Sequence, residues 1–444
     1  MKNIRLSFAV LLLGLTALWL LSETLPPWPP GVFALRQPLI YGTGFLALGV
    51  MGAALLLAAR PLLIEPWLGG QDKAYRLHKW LGIAALVLAV LHWLWAKAPK
   101  WAVGWGWLER PQRGPRPSTE DLPLVYRWLQ ELRGPAEEIG EWAFYGVVLL
   151  IALALLKRFP YRYFAKVHRL LAPLYLLLVF HGLVLMRPTD WGVPIGLLSL
   201  LLAGAGSAAA LRSLTRKLGQ TRRAVGEVEA LERHPDHRVL RVDVRLKQGW
   251  PGHQAGQFAF LGFDRDEGLH PFTICSAWQG DGRLSFLIKA LGDYTAALPE
   301  TLKPGDLLTV EGPYGRFDFS GTTPRQIWVA GGIGITPFIA RLQALAQQRD
   351  GKQIDLFYST RVDHAGTQER LREMAEQAGV RLHVLVAPQQ GRLDAAAIAR
   401  LVPQWREAEL WFCGPAGFGQ ALRGEFQAMG LPAGRFHQEL FEMR

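Results

Sequence analysis

Four histidines stand in the first 220 residues, each inside a long apolar run: His78 and His92 in one, His168 and His181 in another. Imidazole is a common metal ligand, and ionisable groups inside a bilayer are costly and usually functional. The spacings are 14 and 13 residues, which on helices rising 1.5 Å per residue means roughly 21 and 20 Å. Two helices running the same way would put His78 level with His168 and His92 level with His181. Two stacked pairs are what two bis-histidine b-type haems require, an imidazole filling each axial position of the iron. A step of 14 residues returns to nearly the same helix face, whereas a step of 13 falls roughly 140° away. The second helix must therefore bend, and Pro173, between its two histidines, supplies the place. The same histidines also read as bonds to neighbouring helices or as part of a proton path. Lys79, Lys166 and Arg169 flank the first pair, where they would neutralise haem propionates or simply mark a cytoplasmic helix end.

A second set of chemistry-bearing residues lies further on. The run His270-Pro271-Phe272-Thr273-Ile274-Cys275-Ser276 precedes a strand pattern, Leu284–Ala290, and then Leu291-Gly292-Asp293-Tyr294-Thr295. A hydroxyl such as Thr273 can bond a flavin ring nitrogen, while His270 and Lys289 could meet phosphate. Taken alone, the run reads equally as a turn bearing an exposed aromatic. A strand at Gln326–Ala330 then enters Gly331-Gly332-Ile333-Gly334-Ile335-Thr336-Pro337 and a helix to about Gln348. Glycines at a strand-to-helix turn let backbone N–H groups approach a pyrophosphate, whose charge the helix N-terminus favours. Ser359 and Arg361 end the following strand, where an arginine can pair with the 2′-phosphate of NADP or stand as a solvated loop charge. Cys413-Gly414-Pro415 follows the last clear strand, at the edge where such sheets hold ligands; Cys413 reads equally as a small packing residue. Phe441, near the chain end, could cover a flavin ring.

The elements that must position these groups come in two unlike halves. The chain has 444 residues, 50% hydrophobic and 19% charged, with a mean hydropathy of +0.12. From Phe8 to about Leu214 long apolar runs dominate; from Thr215 the sequence is mixed and charged. Disorder and collagen-like repeats are excluded by this composition. Two cysteines, Cys275 and Cys413, cannot make a disulfide framework, a cysteine zinc site or a four-cysteine iron–sulfur cluster.

The net charge of +12 does not indicate nucleic-acid binding, because the basic residues cluster at the ends of apolar runs. Lys2 and Arg5, Arg60 with Lys73, Arg76 and Lys79, the group Lys157 to Arg169, and Arg212 to Arg223 form a positive-inside pattern. Six spans are expected at Ile4–Leu21, Pro38–Ala59, Leu77–Ala96, Ile139–Leu156, Tyr163–Met186 and Val193–Leu214. The charge pattern places the N-terminus and everything beyond the sixth span in the cytoplasm. The longest outside loop carries Trp101, Trp105 and Trp107, suited to a membrane interface. The first span is expected to stay uncleaved, since no small-residue cleavage site stands out in residues 22–30. Short alternating runs such as Val239–Leu246 and Gln257–Phe263 predict a small antiparallel barrel after Arg223. The later strands Ile354–Tyr358, Arg381–Val386 and Glu409–Phe412, with helices between, predict a doubly wound α/β domain.

With four histidines, the His-Pro-Phe-Thr run and the Gly-Gly-Ile-Gly-Ile-Thr-Pro run in this order, the chain resembles the ferric reductase and NADPH oxidase superfamily. It looks most similar to bacterial ferric-reductase-like transmembrane flavocytochromes, including the stretch Glu65, Gly69, Asp72, Tyr75, His78 and the ending Phe436–Arg444. The resemblance implies a multi-domain membrane protein, a six-helix bundle followed by a ferredoxin-reductase-like module. Its parts would be a haem-binding domain at 1–217, a barrel FAD domain at 222–322 and an α/β NAD(P)-binding domain at 323–444. It implies two b-type haems on His78/His168 and His92/His181 and FAD at His270–Thr273, with Lys289, Gly292 and Thr295 nearby. NADPH, or NADH, would lie at Gly331, Gly332, Gly334, Thr336 and Pro337, with Ser359 and Arg361 at its far end and Cys413, Gly414 and Pro415 beside the nicotinamide. Thr273, Cys413 and Phe441 would act on the flavin and nicotinamide. In the oxidase branch a terminal aromatic stacks on the flavin, but here Phe441 is followed by Glu442-Met443-Arg444.

The expected activity is electron transfer from cytoplasmic NADPH through FAD and two haems to an outside acceptor in a multi-pass cell-membrane protein. Iron with both axial positions filled leaves outer-sphere reduction, of O2 to superoxide or of chelated Fe³⁺. The acceptor would meet the protein near Arg36, Lys97, Arg187 and the Trp-rich loop. A second reading makes the chain an electron-supply subunit for a periplasmic partner reductase. A third makes it a histidine-lined proton channel.

Overall fold

The computed structural model describes residues 2–24, 26–61, 64–111, 123–156, 161–215, 218–247, 249–264 and 267–439. The described residues divide into two compact units, one within 2–68 and 73–218 and the other within 69–72 and 219–439.

The first unit holds six helices long and apolar enough to cross a membrane, with mean hydropathies from 1.6 to 2.1 over their best windows. They are Lys2–Ser22, Val32–Ala58, Gln71–Gly104, Arg133–Leu155, the pair Tyr161–His168 and Leu171–Leu185, and Pro194–Leu214. Several run past the expected ends, because flanking polar and Pro residues continue a helix that hydropathy alone cuts short. The fifth is broken. Pro173 has no N–H to offer the carbonyl of Arg169, and the chain turns at Arg169–Leu170, with Ala172 N donating instead to Arg169 O at 3.1 Å. The expected bend thus lies four residues before the proline that causes it.

Small residues let these helices approach. Gly42 receives the ring of Trp19, where an added Cβ would sit 2.4 Å from Cε2. Gly52 and Gly206, on the second and sixth spans, make a notch for Tyr175, whose hydroxyl donates to Leu202 O at 3.3 Å. Apolar side chains such as Val10, Leu13, Leu149 and Leu201 stay exposed on the spans, as lipid-facing residues do.

In the second unit, β1 (Arg223–His234), β2 (Val239–Leu246), β3 (Phe258–Gly262), β4 (His270–Thr273), β5 (Arg283–Lys289) and β6 (Leu307–Tyr314) form one antiparallel sheet. Its order is β4-β3-β6-β1-β2-β5. Alternation drives it: Leu240, Val242, Val244 and Leu246 are buried, while Arg241, Asp243 and Arg245 point outward. The two edges meet through the Ile274–Phe286 bridge and Cys275 N donating to Ser285 O at 2.8 Å, which closes a barrel.

A parallel sheet follows, from β7 (Arg325–Gly331), β8 (Gln353–Thr360), β9 (Arg381–Val386), β10 (Glu409–Cys413) and β11 (Phe436–Gln438), in the order β11-β10-β7-β8-β9. Its central strands are buried on both faces and read as continuous apolar runs, Ile327–Ala330 and Leu410–Cys413. The chain leaves β7 toward β8 and β9, then returns to its other side for β10 and β11. The point of reversal lies between β7 and β10, and the crevice at their carboxyl ends is where such sheets bind ligands.

Candidate functional site

The histidines of the membrane unit meet in the expected pairs. The rings of His78 and His168 have centroids 5.9 Å apart, and those of His92 and His181 are 6.1 Å apart. Two imidazole nitrogens each roughly 2 Å from one metal ion stand about 4 Å apart, which puts the ring centres about 6 Å apart. Three of the rings are aimed by backbone carbonyls on a neighbouring helix. His78 Nδ1 lies 2.8 Å from Ala54 O, His92 Nδ1 3.0 Å from Ile40 O, and His181 Nδ1 2.8 Å from Ala136 O. Each bond makes Nδ1 the protonated nitrogen and leaves Nε2 with the lone pair a metal would need. On the second span, Ile40 and Ala54 are 14 residues apart, the separation of His92 and His78 on the third. Glycine makes room behind two rings: a Cβ on Gly140 would lie 2.1 Å from His181 Nδ1, and one on Gly44 3.1 Å from His92 Cε1.

A cavity of about 680 Å³ surrounds His92 and His181, walled by Phe45, Leu48, Phe144 and Leu178 and reaching Arg36, Lys97 and Arg187. Lys97 pairs with Glu141 at 2.8 Å, and Arg187 with Glu23 at 2.9 Å and Asp190 at 2.8 Å. Arg36 donates to Ala96 O at 3.0 Å. Among the described residues, no three His, Cys, Asp or Glu side chains converge to hold a metal. Two imidazoles cannot complete a bare zinc site, which needs four ligands. They fit iron that already carries its in-plane nitrogens, and the glycine cradles and apolar cavity fit a flat macrocycle.

In the barrel, the His-Pro-Phe-Thr run is strand β4 rather than a turn, paired with β3 so that Thr273 faces Phe258. Thr273 is buried, while Pro271 and Phe272 are partly covered. His270 stacks on Tyr294, centroids 4.5 Å apart and planes 23° from parallel. Burial pulls the His270 imidazole down to about 4 and pushes the Tyr294 phenol up to about 12. His270 is therefore a neutral group at neutral pH, able to meet a phosphate through an N–H hydrogen bond rather than through charge. Thr295 caps the helix Asp293–Thr301, its Oγ1 accepting from Leu291 N at 3.0 Å and Gly292 N at 3.2 Å. Lys289, at the end of β5, reaches the other sheet: a Cβ on Gly332 would lie 4.0 Å from its Nζ.

The glycine turn after β7 is shaped by a close approach of backbones. A Cβ on Gly334 would lie 2.2 Å from Cys413 O, and one on Gly414 only 3.0 Å from Gly331 Cα. Gly331 also meets the Pro415 ring, and Gly332 holds φ +56°. Thr336 Oγ1 donates to Ile333 O at 3.2 Å, and Pro337 opens the helix Thr336–Gln347, where its missing N–H costs nothing. Ser359 lies beside Gly331 in register, and Arg361 is exposed just past β8.

Cys413 is fully covered, packed with Trp328, Ile335, Phe338 and Trp411. Burial pushes its thiol well above the ordinary value, with the Glu439 carboxylate adding to the effect. Cys413 is thus enclosed by apolar side chains, and Phe441 lies outside the described residues. Glu439 was not singled out in the sequence. It is buried, and a Cβ on Gly315 would lie 3.4 Å from its Oε1. Its only sequence signal is its place just before the terminal aromatic.

Three family models match in succession: the ferric reductase like transmembrane component at residues 43–179, the FAD-binding domain at 227–318 and the oxidoreductase NAD-binding domain at 328–424. The domain order is that of a ferric reductase/NADPH oxidase-type flavocytochrome. The first match contains His78, His92 and His168 and stops just short of His181. The chain is also 29% identical over 209 residues to an NADPH oxidoreductase of Mycobacterium tuberculosis, across 44% of this chain and 55% of that protein. A ferredoxin reductase component of a 3-ketosteroid-9-alpha-monooxygenase from the same species is 31% identical, across 38% and 49%. The chain spans about half the length of these curated relatives. Among solved structures, the flavohemoglobin of Malassezia yamatoensis aligns over 91% of this chain and 98% of its own, at 18% identity and a TM-score of 0.47. The chain thus carries a ferric-reductase-like transmembrane component, with six helices long and apolar enough to cross a membrane, followed by FAD-binding and NAD-binding domains of the oxidoreductase type.

Proposed function

We propose that this flavocytochrome moves electrons from cytoplasmic NADPH through FAD and two bis-histidine b-type haems to an acceptor outside the cell, O2 or chelated Fe³⁺. The observation that carries this reading is the pair of histidine–histidine contacts at 5.9 and 6.1 Å. FAD, when bound, supplies the change from two-electron to one-electron chemistry that nicotinamide and haem need between them. The domains would be the haem-binding bundle at 1–217, the flavin barrel at 222–322 and the nucleotide domain at 323–444, with the last two in the cytoplasm.

The chain's own residues then have separate tasks. His78 with His168, and His92 with His181, would each hold one haem iron, the first pair toward the cytoplasm. Thr273 offers its hydroxyl to the flavin ring, while His270 on Tyr294 and the helix capped by Gly292 and Thr295 frame the rest of the cofactor. The turn Gly331–Pro337, with Lys289 over Gly332, receives the nucleotide pyrophosphate. Ser359 and Arg361 meet the 2′-phosphate, and Cys413, Gly414 and Pro415 form the wall nearest the nicotinamide. Phe441 would shield the flavin. With two imidazoles committed to each iron, the acceptor would be met instead at the cavity mouth, where Arg36, Lys97 and Arg187 would receive it.

A visible spectrum of the detergent-purified protein, taken before and after anaerobic NADPH with added FAD, tests the scheme. Low-spin b-haem bands at two haems per chain that reduce on adding NADPH are expected. A haem-free preparation would overturn it and return the histidines to structural or proton-carrying roles.

A further inference from the structure

The four histidines are not held alike. His78, His92 and His181 each have Nδ1 bonded to a backbone carbonyl, and each sits within a helix of at least 15 residues. His168 has neither support. Its Nδ1 is buried without a hydrogen-bond partner among the described residues, and it is the last residue of an eight-residue helix, Tyr161–His168. Directly after it the chain turns at Arg169–Leu170, and the next helix begins at Leu171. Phe164, one turn earlier, stacks on it with centroids 5.0 Å apart and planes 20° from parallel. A metal-bound histidine normally donates its other N–H to an acceptor, which fixes the ring and makes it a stronger ligand. His168 lacks that bond and stands beside a break, while its partner His78 has the bond on an unbroken helix.

From this asymmetry, and resting on the haem reading above, we infer that His168 is the exchangeable ligand of the pair nearer the cytoplasm. The position it leaves is a site for a small neutral diatomic ligand. His92 and His181 are both tied to carbonyls, so the other pair stays closed to such a ligand. A diatomic at His168 would occupy the haem of this pair and leave the His92/His181 pair untouched.

Carbon monoxide added to the dithionite-reduced holoprotein in detergent is the probe, followed as the Soret difference spectrum. The expected result is a change in half of the haem, with the other half unaffected at saturation. Phe164→Ala should raise the rate of that change by roughly tenfold, the scale at which groups supporting a bound histidine act. Phe164→Leu, which keeps most of the volume and serves if the alanine variant does not fold, should raise it less. Haem at two per chain that ignores CO, or CO reacting equally with both haems, would overturn the inference. So would a rate unmoved in a Phe164 variant of full haem content. Absence of haem would instead remove the reading on which the inference rests.

Discussion

At the scale of single residues, position in the fold decides what a side chain can do. The neutral state of His270 has a thermodynamic signature. Its value falls from the ordinary 6.5 to about 4 on burial, so between those values the unfolded chain holds a proton that the folded chain lacks. Stability from this group is complete above about 6.5 and drains away as pH falls toward about 4. The flavin-bearing unit should therefore lose melting temperature across that interval, and a His270→Gln variant should show a shallower decline; parallel curves would mean that other groups carry the pH dependence. Arg361 is argued from exposure and place, just past β8. Arg361→Ala should raise KM for NADPH roughly tenfold, about the 1.4 kcal/mol of one charge-assisted contact, and leave KM for NADH nearly unchanged. Equal effects on the two nucleotides would remove the 2′-phosphate role.

At the scale of elements, spacing was legible and orientation was not. The spacing of His78, His92, His168 and His181 announced two pairs, and Pro173 announced a distortion. Nothing in the sequence marked Ile40, Ala54 and Ala136 as the residues whose carbonyls aim three of the rings, since a backbone acceptor carries no side-chain signature. Gly140 is the exception that geometry explains. An alanine there is favoured by helix propensity by about 1 kcal/mol, yet its Cβ would meet His181 Nδ1 at 2.1 Å. Overpacking of that kind costs about 1–3 kcal/mol, and the ring must turn from its carbonyl. Gly140→Ala should thus lower haem content toward one per chain, while Gly82→Ala, where a Cβ meets nothing within 4 Å, should leave it unchanged. Haem analysis of the two purified variants settles the point. In the nucleotide domain the sequence placed Cys413 and Gly334 in separate motifs. The structure shows one contact between them, and that contact accounts for the small residue at Gly334.

At the scale of the whole molecule, hydrophobic pattern alone divided the chain. An apolar half that buries its polar groups within helices precedes a half whose strands alternate or run buried, and the two patterns need different solvents. The barrel and the parallel sheet followed from strand spacing and from the strand–glycine–helix order. What the pattern did not carry was covering. Cys413 is buried in one cluster with Trp328 and Phe338, and the Glu439 carboxylate bears on its thiol from the last described stretch, an environment built from residues far apart in the chain. The Trp-rich segment shows the same limit from the other side. Trp105 and Trp107 are exposed, as a membrane interface requires.

The second span bears two of the histidine anchors, and both are backbone atoms. Substitutions away from Gly42, Gly44 and Gly52, which the packing of neighbouring rings requires, can change side chains and leave Ile40 O and Ala54 O where they are, so the rest of this helix is free to vary in composition. It is not free to change in length. One residue inserted or deleted between the two anchors would rotate one of them by about 100° about the axis and shift it by about 1.5 Å, turning a single imidazole away while the other kept its partner. Evolution along this helix is therefore confined to replacements, and any surviving insertion must come with a matching one on the third span.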